Sequence, residues 1–284
     1  IFSIFLAKAM KKKGWKYFVT PHGGLRPIAQ KRDKIKKIIA NPLFFNKYLF
    51  NADFIHALTV EEMEDIKKYH KKLSKVHISH SGLPKLFNKL PSYTKKTKRV
   101  KPIVIGFIGS IYTKIKGIDL LLDAISQYQQ LDNVNPIKFV FLGPINRNED
   151  KKRVKKFIKK MKYPNLIEFK GPKFGKEKWI QLSNFDIFVL TSRTEGMPIV
   201  VLEAMAFGKP ILISQGTNMG TFVKEANCGW VVDGSSESIL KCLLDISKTE
   251  KDQIDSFGDN SRKYLLKKLL MDNSAQAFLN MIKE

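Results

Sequence analysis

Cysteine is scarce: the 284 residues hold two, Cys228 and Cys242, beside five scattered histidines. Two thiols make no disulfide framework, and neither stands at a metal-ligand spacing from a histidine or another cysteine. A structural zinc site is therefore not expected, and a reducing, cytoplasmic setting is the default. Long apolar runs are missing too, so no stretch reads as a membrane span. The opening "IFSIFLAKAMKKKGWKYFVT" looks like a leader peptide only at first sight. Its charges follow the apolar part instead of preceding it, and no small-residue cleavage site appears. It reads as an amphipathic helix running into a strand. The chain begins at Ile1, not Met, which reads as a piece of a longer protein.

Acidic residues are also few, 26 against 51 Lys and Arg, for a net charge of +25. The imbalance is uneven: residues 1–100 hold 23 basic and 6 acidic side chains, and "KKRVKKFIKKMK" (151–162) forms a second cluster. Two readings stay open. The lysines are solvated helix faces, or they attract something anionic, whether a membrane surface or a phosphorylated substrate. No RNA- or DNA-binding motif and no aromatic-interleaved basic strand accompanies them, so nucleic acid is not an expected partner. Charge alone does not choose. No D-x-D run occurs either.

What is present is a repeated strand-turn-helix pattern. From residue 102 the short apolar runs "PIVIGFIGS" (102–110), "IKFVFLGP" (137–144), "LIEFKGP" (166–172), "FDIFVLTS" (185–192), "KPILIS" (209–214) and "GWVVD" (229–233) alternate with helical stretches such as 116–130 and 149–162. Continuous apolar strands between helices predict a parallel sheet covered on both faces, hence a Rossmann-like lobe. The first hundred residues repeat the theme less completely. A helix near 3–13 precedes strand 16–20, then come helix 32–50, strand 53–58, helix 60–72 and strand 75–79. "KLPSYTKKTKRVKP" (89–102) is polar and charged and reads as a linker. The expected fold is α/β with two Rossmann-like lobes. The boundaries are 1–95 for a partial first lobe, 102–260 for a complete second lobe and 261–284 for helices packing back toward the first.

In open parallel sheets, ligands bind outside the carboxyl ends of the strands. "VLTSRTEGMPIVVLEAM" (189–205) is such a junction. Pro198 reads as a first helical residue, since its missing N–H would be unpaired there anyway. Gly196 permits close backbone approach, and the N–H groups near 196–199 with the helix dipole make an anion site. Glu195 lies in the loop beside it. Glu203 falls on the following helix, either projecting toward the ligand to accept from hydroxyls or simply exposed. Carboxylates flanking an anion site suit a ligand with both phosphate and hydroxyls.

"EGMPIVVLEAMAFGKPIL" (195–212) strongly resembles the E-x7-E signature of family 4 glycosyltransferases, retaining enzymes of the GT-B fold. Three further stretches resemble that family in order: "TPHGGLRP" (20–27), "NADFIHALTVEEMEDIKKY" (51–69) and "IGFIGSIYTKIKGIDLLLDAI" (105–125). The resemblance implies that Glu203 holds the ribose hydroxyls and Glu195 meets the transferred sugar. Gly196, Met197 and Pro198 would offer backbone groups to sugar and phosphate. Lys116 would pair with the diphosphate, unless it is an ordinary surface lysine. His22, with Gly23 and Gly24, would close the site from the acceptor lobe, unless His22 is a turn residue. Where the family usually has arginine this chain has Ser110, and Lys114 stands near enough to compensate.

The resulting expectation is a metal-independent, retaining glycosyltransferase without cofactor. It would take sugar from a nucleotide-diphosphate donor to a lipid-linked or surface-polysaccharide glycan, working peripherally at the inner face of the cytoplasmic membrane. A phosphorylase or nucleotide-sugar epimerase of the same fold is an alternative, though a phosphorylase would need a cofactor-lysine site, and none is found. The reading from another class is an inactive scaffold that binds nucleotide sugar without turning it over.

Overall fold

A computed structural model of the chain describes residues 2–31, 34–73, 75–85, 87 and 102–283. The expected linker at 89–102 lies outside the described residues except for its last position. The chain divides into two compact units. Unit 1 holds Ile1–Ser81, Thr194–Met197 and Ser274–Glu284; unit 2 holds Gly82–Arg193 and Pro198–Asn273.

In unit 1, α1 (Phe2–Lys12) precedes β1 (Phe18–Val19). Then come α2 (Pro27–Lys31), α3 (Lys34–Ala40), a π-helical turn at Asn41–Phe45, α4 (Asn46–Phe50) and β2 (Phe54–Ala57). The unit's own strand-helix run ends with α5 (Val60–Tyr69) and β3 (Val76–Ile78). The single helix expected over 32–50 is thus interrupted. Pro42 sits at the start of the π turn, where its ring and missing N–H cannot continue regular α hydrogen bonding. The three strands pair in parallel in the order β1-β2-β3. Val19, Ile55, Ala57, Leu49 and Ile66 form the core beneath them.

Unit 2 is a six-stranded parallel sheet. Its elements are β4 (Ile103–Ile108), α6 (Thr113–Lys116), α7 (Ile118–Gln130), β5 (Ile137–Leu142), α8 (Asn148–Ile158), β6 (Ile167–Phe169), α9 (Gly175–Ser183) and β7 (Ile187–Leu190). They continue with α10 (Ile199–Ala206), β8 (Ile211–Ser214), α11 (Gly220–Ala226), β9 (Gly229–Val232), α12 (Ser236–Lys248) and α13 (Lys251–Lys268). The strand order is β6-β5-β4-β7-β8-β9. Counted within the lobe this is 3-2-1-4-5-6, the doubly wound order of dinucleotide-binding folds, with its switch point between β4 and β7. The four inner strands, β4, β5, β7 and β8, are almost wholly buried, which is why they read as unbroken apolar runs. Each such Ile, Leu or Phe contributes on the order of 1.5–3 kcal/mol by leaving water.

One buried charge has a structural task. Lys209 is fully buried, and its Nζ donates to Ser183 O and Phe185 O, both at 2.7 Å. It satisfies carbonyls at the C-terminal end of α9, where a cation is favoured. The two cysteines are buried as well, and burial pushes both thiols up to about 12. They are inert packing groups.

The last helix, α14 (Met271–Lys283), begins in unit 2 and ends in unit 1. Within unit 1, Ser79 Oγ donates to Ser274 O at 3.0 Å, and the Phe278 ring meets Phe18 and His56 edge-on. α13 runs without a break through residue 261. Among the described residues no helix is long and apolar enough to cross a membrane.

Candidate functional site

The switch point of unit 2 is tightly organised. After β4 the chain passes Gly109 and the exposed Ser110, makes the short α6, and turns at Gly117. Gly117 has φ 64°. A Cβ there would collide with the carbonyl of Thr191, so only glycine lets this turn seat on the end of β7. That is why the helix expected over 116–130 starts at Ile118, after a separate short helix that ends at Lys116. Thr191 Oγ1 donates to Lys116 O and Gly117 O at 3.4 and 3.3 Å. Arg193 N donates to Ile115 O at 2.8 Å, and its guanidinium reaches Thr113 O and Lys114 O at 3.2 and 3.0 Å. The same guanidinium forms a two-bond pair with Asp119, at 2.7 and 2.9 Å. From the other side the buried Asp150 accepts from Thr113 Oγ1 at 2.5 Å. The backbone that carries Lys116 is therefore fixed by three side chains: Thr191, Arg193 and Asp150.

α10 begins one residue later than expected. Pro198 is extended, with φ −72° and ψ 114°, and acts as the N-cap of a helix that starts at Ile199. Pro198 has no N–H, and Val201 N donates to Pro198 O at 3.0 Å. The first-turn N–H groups of Ile199 and Val200 are the ones without an intrahelical acceptor. Glu203 is not simply exposed. Its side chain is 12% accessible, and Oε2 pairs with Lys178 Nζ from α9 at 2.5 Å. Lys178 also lies 4.4 Å above the Trp179 ring.

The remaining expected residues fall in unit 1. His22 is exposed and left-handed, φ 49°, and Gly23 follows at φ 74°. Gly24 N closes the turn on Pro21 O at 2.9 Å. Gly23 N donates to Glu62 Oε1 at 2.5 Å, and Leu58 N donates to Glu62 Oε2 at 2.8 Å. Glu62 is buried and held in turn by Thr59, the N-cap of α5, whose Oγ1 accepts from Glu62 N at 3.0 Å. A Cβ on Gly23 would stand 2.6 Å from Glu195 O, and one on Gly196 would stand 3.0 Å from the His22 backbone. The two glycines let the His22–Gly24 and Glu195–Gly196 backbones touch. Met197, next in the segment, is buried. Nearby, His56 Nε2 donates to Ser79 O at 2.8 Å while Nδ1 faces Thr20 Oγ1 at 3.1 Å. Burial pulls its proton affinity below the usual histidine value.

The model of the family described as "Glycosyl transferases group 1" matches residues 91–264, more than half of the chain. The chain belongs to the group 1 glycosyl transferases. The family segment includes the Lys116 turn, the Arg193 clamp and the helix with Glu203. A putative colanic acid biosynthesis glycosyltransferase of Salmonella typhimurium is 25% identical over 172 residues, covering 58% of this chain and 40% of the relative. Sucrose-phosphate synthase of Thermosynechococcus elongatus superposes with a TM-score of 0.76 at 15% identity, over 99% of this chain and 71% of that one. HepE of Anabaena, in complex with UDP-glucose, gives 0.74 at 16%, over 98% and 74%. These likenesses show the α/β GT-B fold of the glycosyl transferases. The chain spans half or less of the length of the curated relatives it matches.

Sequence reasoning passed over Glu62, Arg193 and Lys178. Glu62 left a signal, the capping pattern Thr59-x-x-Glu62 ahead of an apolar face. Arg193 and Lys178 left none, because their partners, Asp119 and Glu203, are distant in sequence.

Proposed function

We propose that this protein is a retaining glycosyltransferase of the E-x7-E class that transfers a hexose from a nucleotide-diphosphate sugar. The observation that carries this is the switch point, where a clamped Lys116 turn and the start of α10 edge the same pair of strands, β4 and β7. There Lys116 and the Ile199 and Val200 N–H groups neutralise the diphosphate, and Glu203 accepts from the ribose hydroxyls. Glu195, with Gly196 and Met197, meets the transferred sugar, and His22 acts from the His-Gly-Gly turn. The bond from the sugar's anomeric carbon to the diphosphate breaks as an acceptor hydroxyl adds on the same face and gives its proton to the departing phosphate oxygen. The nucleotide diphosphate leaves with the charge that Lys116 stabilises. No divalent ion is required in this reading. The neighbour's complex with UDP-glucose supports a uridine donor, and the Salmonella relative's name supports a surface-polysaccharide acceptor.

A peripheral membrane location is favoured by one feature of unit 1. Ile35, Ile38, Ile39, Leu43 and Phe44 are all more than half exposed, on and just after the lysine-bearing α3. Of the nearby aromatic groups, Phe44 and Trp15 are exposed and could join such an interface, whereas Phe45 and Tyr48 pack on the core.

The deciding experiment is UDP release from UDP-glucose and related donors by the purified protein, with and without EDTA. Release that survives EDTA and disappears in Glu195→Ala supports the reading. Tight UDP-sugar binding with no turnover on any glycan acceptor leaves the scaffold reading standing instead.

A further inference from the structure

Unit 2 carries a second cationic cluster, which shares only Lys114 with the residues read for the donor phosphate. A cleft of about 540 Å³ opens between α7 and α8. Its basic side chains are Lys114, Arg153, Lys156 and Lys160. Positions 153, 156, 157 and 160 follow helical spacing and so share one face of α8 and its end. Phe157 lies among them, and Asp119 and Asp123 line the α7 side.

The charges do not cancel. Asp119 is already committed to the two-bond pair with Arg193. Asp123 Oδ2 accepts from the Gln127 amide at 2.9 Å and is the one remaining carboxylate against four cations. Arg153 is oriented: its Nη1 donates to Thr113 Oγ1 at 3.2 Å, and Thr113 is fully buried. Four converging cations repel one another until an anion joins them, and phosphate, with its several acceptor oxygens, suits an Arg-Lys set. The rest of the lining suits a sugar. The Phe157 ring offers a surface for the apolar face of a pyranose, and Asp123 is an acceptor for hydroxyls. The volume is too large for phosphate alone and falls in the range of small-molecule sites.

The cleft also leads away from the strand ends. Lys156 and Lys160 lie eight and twelve residues beyond Asn148, roughly 12 Å or more along the axis of α8. We propose that this cleft binds a phosphorylated monosaccharide, at a site separate from the nucleotide-sugar site.

Calorimetry on the purified protein tests this with glucose 6-phosphate as probe, and with glucose and inorganic phosphate as controls. Glucose 6-phosphate should saturate one site, equally well with UDP present, and bind more tightly than either control. Lys156→Ala/Lys160→Ala should weaken it by roughly tenfold or more, the cost of losing two charge-assisted bonds. Lys152→Ala/Lys159→Ala, two exposed lysines of the same segment outside the lining, should change it less than about twofold, a surface pair being worth little. An unchanged Tm in both double variants establishes that the fold is intact. The proposal is overturned by any of four results: no saturable binding at millimolar probe, complete competition by UDP, equal losses in the two double variants, or inorganic phosphate binding as tightly as the sugar phosphate.

Discussion

Lys178 and Glu203 form a 2.5 Å ion pair between α9 and α10, with side chains 20% and 12% accessible. The pair holds the carboxylate in one rotamer before any ligand arrives. If Glu203 accepts from both ribose hydroxyls, Glu203→Ala should weaken UDP binding by about 1.5–3 kcal/mol. Lys178→Met should weaken it less, because the acceptor remains and only its orientation is lost. The double variant should be no worse than Glu203→Ala, since the two residues act as a unit. Calorimetry checks all three; additive losses would mean that Lys178 binds the nucleotide by itself.

Lys116 sits on a turn whose backbone is fixed by Thr191, Arg193 and Asp150. Its interaction with the donor should strengthen as charge grows on the leaving diphosphate, so Lys116→Ala should lower kcat more than donor affinity. Steady-state kinetics beside direct binding measurements separate the two. Equal effects would reduce Lys116 to a binding group.

His56 gives unit 1 a pH dependence. Burial lowers its pKa below the ordinary histidine value of about 6.5, so the unfolded chain takes up the proton more readily than the folded one. The stability this neutral ring contributes is present above about pH 6.5 and is lost as pH falls through the lower folded value. Melting curves between pH 7.5 and 5 should show a falling Tm, and His56→Gln should flatten that slope. An identical slope in the variant would assign the effect to other groups.

The exposed apolar and basic groups of unit 1 should make it bind anionic vesicles, each nearby Lys or Arg adding on the order of 1 kcal/mol. Sedimentation with phosphatidylglycerol vesicles should weaken as salt rises through the physiological range. Neutral vesicles should bind poorly. Lys12→Ala/Lys13→Ala and Ile38→Ser/Ile39→Ser should each reduce binding without changing UDP affinity. Lys11 is a poorer probe, because it pairs with Asp53 at 3.0 Å. Equal binding to neutral and anionic vesicles at low salt would remove the electrostatic argument.

The strands of unit 2 were legible because a parallel sheet covered on both faces demands unbroken apolar runs such as Ile187–Leu190. Glu195 and Glu203 stand out in the sequence because charges seldom interrupt such surroundings without a task. Boundaries set by contact with distant residues were not. The break at Gly117 exists because Thr191 O occupies the space a side chain would need, and no local pattern carries that information. The π turn at Asn41–Phe45 had a local cue in Pro42, yet the lysine-isoleucine periodicity of 34–39 hides it. Ion pairs such as Arg193–Asp119 join residues 74 positions apart, beyond the reach of any spacing rule.

The two buried thiols bear on how donor binding can be followed. Cys228 and Cys242 are packed away, and burial suppresses the thiolate that alkylating dyes require. A maleimide fluorophore will therefore see the native protein as blank. One cysteine introduced at the exposed Ser110, beside the clamped turn, becomes a single-position optical reporter on donor arrival, with no need to engineer away the native pair.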